Sequence, residues 1–179
     1  YRAAMENPRP TSEQQISPIL FVGSNFFANR QAVEFLIKKL GPQLLHLPHI
    51  QIWIVGSGFT PNCYGDTPPT NVRLLGRVEN LDEIYFSAAM VVVPIYSGAG
   101  MKVKVAEALM HGRPVIGTAL ALRGYIENSS TSQDHLLTAS SPQEYIHAIQ
   151  FVLDHQERLC ASARRDYIDR FSVAAGQRR

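Results

Sequence analysis

Met90-Val91-Val92-Val93-Pro94-Ile95 is the most strand-like run in the chain, and two residues later comes Gly98-Ala99-Gly100-Met101-Lys102-Val103-Lys104-Val105-Ala106-Glu107-Ala108. An unbroken apolar run reads as a buried strand, and the spacing after the glycines predicts a helix over 101–111. Pro114-Val115-Ile116-Gly117 then reads as another strand. Strand, glycine turn, helix and strand make a parallel crossover unit. The helix is otherwise almost all apolar, so two lysines and a glutamate on it need water or a partner. That face meets either solvent or a charged ligand.

The same unit recurs on both sides. Ile19-Leu20-Phe21-Val22 ends in Gly23-Ser24-Asn25. A helical period from Asn29 places Ala32, Val33, Leu36, Ile37 and Leu40 on one stripe, and Gly41-Pro42 is expected to interrupt it. Ile50 to Val55 is a strand closed by Gly56-Ser57-Gly58, and Phe59 to Asn71 reads as a loop. Val72 to Leu75 ends at Gly76, and Asn80 can cap a helix over 81–88. His135 to Thr138 is a weak last strand. Ser141-Pro142-Gln143-Glu144 has the make-up of a capping box and opens a helix to about Leu153, followed by a polar helix over 156–171.

This alternation predicts an α/β fold, a Rossmann-like parallel sheet with helices on both faces. Residues 1–17 read as a linker or the tail of an upstream domain, 18–155 as the domain, and 156–179 as a C-terminal helix and tail. Gly23, Gly56, Gly76 and Gly98 all follow carboxyl ends of strands. Those ends share one edge, where ligands bind at the reversal of strand order.

The chain has 179 residues, 45% of them hydrophobic, which suits one α/β domain with its own core. A net charge of +2 gives no broad basic field, so nucleic acid is not an expected partner. No apolar run reaches the roughly 18 residues of a membrane span, and no secretory signal is read. Cys63 and Cys160 lie in unrelated contexts, which fits a reducing compartment and a cytoplasmic location. No pair among the six histidines has zinc spacing with a third ligand, so no metal is expected. His111 is expected to end its helix at the negative pole of the dipole. Trp53 is expected in the core, and Tyr96 either on a ligand or on the sheet edge. Gly56-Ser57-Gly58 lacks the third glycine and the later acid of a dinucleotide fingerprint.

The first turn of a helix presents unpaired N–H groups and about half a positive charge. The turn Ser97-Gly98-Ala99-Gly100 therefore suits phosphate, although glycine there also serves chain geometry alone. At about 100° per residue, Lys104 and Glu107 lie about 60° apart. They are expected between buried stripes of Val103, Ala106 and Met110 on one side and Val105 and Leu109 on the other. Two readings fit. One is a surface ion pair worth roughly a few tenths of a kcal/mol. In the other, Lys104 or Lys102 neutralises a diphosphate while the Glu107 carboxylate accepts hydrogen bonds from sugar hydroxyls. On a regular helix the two lysines lie about 160° apart, so both reach one phosphate only if Lys102 precedes the regular turns.

The stretch from Gly98 to Ala108, with Gly112-Arg113-Pro114-Val115-Ile116-Gly117-Thr118 and Gly124 after it, resembles the donor-binding half of the group 1 (family 4-like) glycosyltransferases. Phe21-Val22-Gly23-Ser24 with Asn29, Ile54-Val55-Gly56-Ser57-Gly58, and Val72-Arg73-Leu74-Leu75-Gly76-Arg77-Val78 are similar to the family's first strands, in the same order. The resemblance covers Ile19 to Ala148. It implies one half of a GT-B fold, in which two Rossmann-like domains face each other across a cleft. It implies a nucleotide-diphosphate-sugar donor, anomeric retention, and transfer to a glycan, lipid or other acceptor, as in polysaccharide biosynthesis. It implies no cofactor and no obligatory metal.

By the same resemblance, Glu107 binds the ribose, and Arg77 and Val78 line the base. The backbone of Gly98, Ala99, Gly100 and Met101 serves the diphosphate and sugar, and Gly23, Ser24 and Asn25 lie near the donor phosphates. Lys104 matches a lysine recurrent in one branch of the family, and Lys102 is a second source of charge. The acceptor site would belong to an N-terminal domain missing from this chain, which would also make any contact with a membrane surface. This chain alone is expected to bind without turnover, and no catalytic residue is assigned to it. The sequence departs from the pattern at Ala99, where many members carry a second glutamate. It departs again after the first strand, where Asn25, Asn29 and Arg30 replace an arginine and a lysine. Two other readings stay open: a nucleotide-sugar epimerase of related fold, and a non-catalytic binding or assembly module.

Overall fold

The computed structural model describes residues 16–60, 64, 67–99, 102–126 and 133–172. Strands β1 (Ser17–Val22), β2 (Ile50–Val55), β3 (Val72–Gly76), β4 (Met90–Val93), β5 (Val115–Gly117) and β6 (Leu136–Thr138) form one sheet in the order β3-β2-β1-β4-β5-β6. Every pairing is parallel. The chain walks outward from β1 to β3, returns to β4 beside β1, and walks the other way. Right-handed crossovers in opposite directions put helices on opposite faces. The central strands are buried accordingly: Ile19, Leu20, Phe21 and all four residues of β4 have no exposure.

Helix α1 (Phe27–Phe35) runs into a π-helical turn (Leu36–Leu40) and then α2 (Gly41–Gln43). The expected stripe of Ala32, Val33, Leu36, Ile37 and Leu40 is buried. Two expectations are corrected. The helix begins at Phe27 rather than Asn29, and Gly41-Pro42 does not interrupt it. Pro42 falls in the first turn of α2, where its missing N–H is not needed, and the wide turn before it makes room for the ring. Gly41 is a close contact: a β-carbon there would stand 2.8 Å from Val72 Cγ2.

Helix α3 (Leu81–Ser87) starts where expected, because Asn80 Oδ1 accepts from the backbone N–H groups of Asp82 and Glu83. Helix α5 (Pro142–Asp154) carries the full capping box of Ser141 and Glu144, and α6 (Gln156–Arg170) follows. Helix α4 (Val103–Met110) packs on β4, β5 and α6. Its buried residues are Val105, Ala108 and Leu109, so the second predicted stripe belongs to the core. The first stripe is a correction, since Val103 is 68% exposed. The sheet and α6 approach the face carrying 105, 108 and 109, and Val103 at the helix start points past them. Trp53 is also corrected. On β2, one strand in from the sheet edge, Ile52 and Ile54 are buried while Trp53 is half-buried and donates from Nε1 to Gln51 Oε1 at 3.1 Å. Among the described residues no helix is long and apolar enough to cross a membrane.

Candidate functional site

Strand order reverses between β1 and β4, so the turns after these strands, with α1 and α4 that follow them, frame the reversal. The register brings Val22 beside Val55, and Gly23 and Gly56 leave the sheet side by side. The ladder continues past the strands. Gly23 N–H donates to Val55 O at 2.9 Å, Asn25 N–H to Ser57 O at 2.9 Å, and Gly56 N–H to Gly76 O at 2.8 Å. Asn25 Nδ2 adds a bond to Gly58 O at 2.6 Å. These turns wall a cleft of about 300 Å³ lined by Gly23, Ser24, Gly56, Ser57, Arg77 and Val78, among others. Four of the predicted residues, Gly23, Ser24, Arg77 and Val78, thus share one cleft. Arg77 is exposed at its mouth.

Lys104 reaches this edge from α4. Its Nζ donates to Asn29 Oδ1 at 2.8 Å and lies 4.3 Å from the centroid of the Phe21 ring. Asn29 in turn donates from Nδ2 to Ser24 O at 2.9 Å. A β-carbon at Gly23 would stand 2.7 Å from Asn29 Nδ2 and 3.0 Å from Lys104 Nζ, so a larger residue there would displace these two side-chain ends. Burial pushes the Lys104 ammonium down from 10.5 to about 8, with the Glu107 charge opposing the shift and Lys102 adding to it. Among the described residues its hydrogen bond goes to Asn29, not to Glu107, so the surface ion pair is not what α4 builds.

Glu107 stands one turn further along α4, and its Oε2 accepts from Tyr85 Oη at 3.0 Å. Tyr85 is fully buried in α3. Burial, and then the charge and hydrogen bond of Glu107, push its phenol far up, so it stays a donor. Lys102 is the N-cap of α4, with extended backbone, and so precedes the regular turns. The opposed-sides geometry of a regular helix therefore does not apply to it. Its Nζ folds back to Ala99 O at 3.0 Å, and its own carbonyl accepts from Tyr125 Oη at 3.0 Å. Gly98 has φ of 105° and is exposed with Ala99. Gly100 and Met101 lie outside the described residues. Asn80 and Ser141 cap α3 and α5, whereas among the described residues no side chain caps α1 or α4, the two helices that begin at the reversal.

Residues 17–155 match the sequence profile described as glycosyl transferases group 1. The chain belongs to that family. Its fold is the Rossmann-like domain of GT-B glycosyltransferases. Similar solved structures include TarM, with a TM-score of 0.71 at 16% identity over 94% of this chain and 35% of that one. WaaG, a glycosyltransferase involved in lipopolysaccharide biosynthesis, gives 0.69 at 20% identity over 93% of this chain and 46% of that one. HepE from Anabaena, solved in complex with UDP, gives 0.70 at 14% identity over 91% of this chain and 47% of that one. The chain therefore spans less than half the length of these structures. A search of curated protein sequences finds no match.

Within this family domain, a larger cavity of about 530 Å³ opens at the other end of α4, beside Met110, His111, Arg113 and Arg164. Its arginines are engaged on backbone: Arg113 Nη2 donates to Phe86 O at 3.1 Å, and Arg164 Nη1 donates to Met110 O. It lies away from the reversal and from both lysines. His111 stands at this end of α4. It ends α4 as its C-cap, as expected, but is only 8% exposed, with its ring stacked on Tyr85 at 4.6 Å. His135 is likewise buried, between Ser162 Oγ at 2.9 Å and Asp166 Oδ2 at 3.2 Å, and ties α6 to the sheet. Tyr96 takes the sheet-edge reading, with Oη donating to Ser140 O at 2.9 Å and its ring edge-on to Phe35. Sequence reasoning passed over Tyr85, and it placed Gly56 on the ligand edge without naming it among the donor-binding residues. A glycine at a strand end is a signal of close approach whatever fingerprint it belongs to.

Proposed function

We propose that this domain binds the nucleotide-diphosphate-sugar donor of a retaining glycosyltransferase. Lys104 and the N–H groups at the starts of α1 and α4 meet the diphosphate, with no metal ion required. Glu107 accepts from the ribose hydroxyls, and Arg77 and Val78 flank the base. The sugar lies toward Gly98, Ala99 and Lys102. A second domain supplies the glycan or lipid acceptor, and the joined protein carries out the transfer. The carrying observation is the desolvated Lys104 ammonium beside Gly23, at the strand-order reversal and near an uncapped helix start. A cation kept out of water stabilises a developing phosphate charge more strongly than a solvated one. HepE has also been solved with UDP-glucose, and TarM with UDP.

Lys104 gives the proposal a pH test. Its folded value of about 8 lies below the ordinary 10.5, so between these values the unfolded chain holds more protons. The cost of this lysine to the fold therefore lessens as pH rises through that window. A bound diphosphate reverses the preference and recharges the amine. At about pH 8.5 the diphosphate is itself fully ionised, and calorimetry in buffers of different ionisation enthalpy is expected to show net proton uptake on UDP binding. Lys104→Met should abolish the uptake and weaken UDP by about tenfold. Uptake that persists in Lys104→Met would move the anion away from this lysine. Lys102→Ala, tested beside it, should weaken binding less.

A further inference from the structure

Glu107 and Tyr85 come from different helices, α4 and α3, and meet side chain to side chain. A buried phenol must find a hydrogen-bond partner, and any backbone carbonyl would serve. Tyr85 instead donates to Glu107 Oε2 at 3.0 Å. Its ring is held from the other side by the parallel imidazole of His111, with centroids 4.6 Å apart and planes 9° apart. That imidazole is itself tied to both helices, with Nδ1 2.7 Å from the carbonyl oxygen of Glu107 and Nε2 2.9 Å from Asp82 Oδ1. A carbonyl can only accept, so Nδ1 carries the proton of the first bond. Glu107 is therefore gripped twice from one stack, once at its side chain and once at its backbone.

We infer that Tyr85 is a positioning residue, whose hydroxyl fixes the Glu107 carboxylate in the orientation that accepts a vicinal ribose diol. The inference rests on the reading of Glu107 given above. A glutamate side chain loses rotamer freedom when it is ordered. A carboxylate already held by Tyr85 loses less on meeting its ligand. It has about four acceptor sites, and the phenol takes one, which leaves enough for two hydroxyls. The phenol of Tyr85 is pushed up by burial and by Glu107, so it donates throughout the accessible pH range.

The readout is the ratio of affinities for UDP and 2′,3′-dideoxy-UDP, measured by calorimetry on the full chain. The wild-type ratio is expected to be about tenfold or more in favour of the diol. Tyr85→Phe keeps the ring on His111 and removes only the hydroxyl. It should lower UDP affinity, leave dideoxy-UDP affinity nearly unchanged, and bring the ratio toward one. Equal losses for both ligands, or an unchanged ratio, would overturn the inference while leaving the ribose reading of Glu107 intact. A wild-type ratio near one, or no binding of either ligand, would overturn the Glu107 reading and the inference with it. Should Tyr85→Phe fail to fold, Tyr85→4-fluorophenylalanine fills the hydroxyl volume without donating. It must collapse the ratio in the same way, and a retained ratio there counts against the role of Tyr85.

Discussion

Gly56→Ala is expected to destabilise the domain by on the order of 4 kcal/mol, the largest effect of any small substitution at the carboxyl edge. Two costs coincide at this position. Gly56 has φ of 141°, outside the range of ordinary side-chain-bearing residues, and its added β-carbon would fall 1.7 Å from Gly23 O. The contact is with backbone, so no rotamer change relieves it. The turns after β1 and β2 would have to part, breaking the Gly23–Val55 and Asn25–Ser57 bonds that floor the cleft. Gly76→Ala is the control. It also has positive φ, 67°, but its β-carbon would meet nothing within 4 Å. It should cost only about 1–2 kcal/mol, the penalty for a left-handed backbone. Urea midpoints of the two variants check this, and equal losses would mean that the turns are not in the close contact described.

Glu107→Gln is expected to weaken nucleotide binding by about 1–3 kcal/mol, roughly 5- to 150-fold, with little change in stability. The amide keeps the size of the carboxylate, and its oxygen can still accept from Tyr85, so the α3–α4 contact survives. What goes is charge-assisted acceptance from ribose hydroxyls and half of the acceptor capacity. Titration of UDP beside a thermal melt separates the alternatives. An unchanged affinity with a lowered midpoint would make Glu107 a structural anchor for Tyr85 and nothing more.

The sheet was legible because most of its strands are short apolar runs with a glycine at or soon after their ends, the weak β6 being the exception. Those glycines also marked the carboxyl edge of the sheet. Helices α3 and α5 were legible from their caps, since Asn80 and Ser141 act within a few residues of themselves. The helix from Phe27 was less so. The π-helical turn and the passage through Gly41-Pro42 depend on Asn71 and Val72, which reach Gly41 from another part of the chain. The two candidate stripes on α4 were equally periodic, and only the direction of approach of the sheet and α6 chose between them. At the site, Lys104 and Glu107 stood out because charge on an apolar helix needs an explanation. Their partners did not. Phe21 and Tyr85 are ordinary residues of a strand and an amphipathic helix, and Asn29 was noted at a helix start and as a departure in the donor loop, not as a partner of Lys104; their roles arise when β1, α3 and α4 converge.

The most direct test of the central claim is a paired calorimetric titration of the chain with UDP and with uridine, repeated with GDP and guanosine. In the proposal, a helix start without a side-chain cap and a desolvated lysine beside Gly23 favour the diphosphate over the nucleoside. At least one diphosphate is therefore expected to bind about tenfold or more tightly than its nucleoside, with the difference narrowing as salt is raised. Equal affinities for diphosphate and nucleoside, or no binding of either pair, would contradict the account.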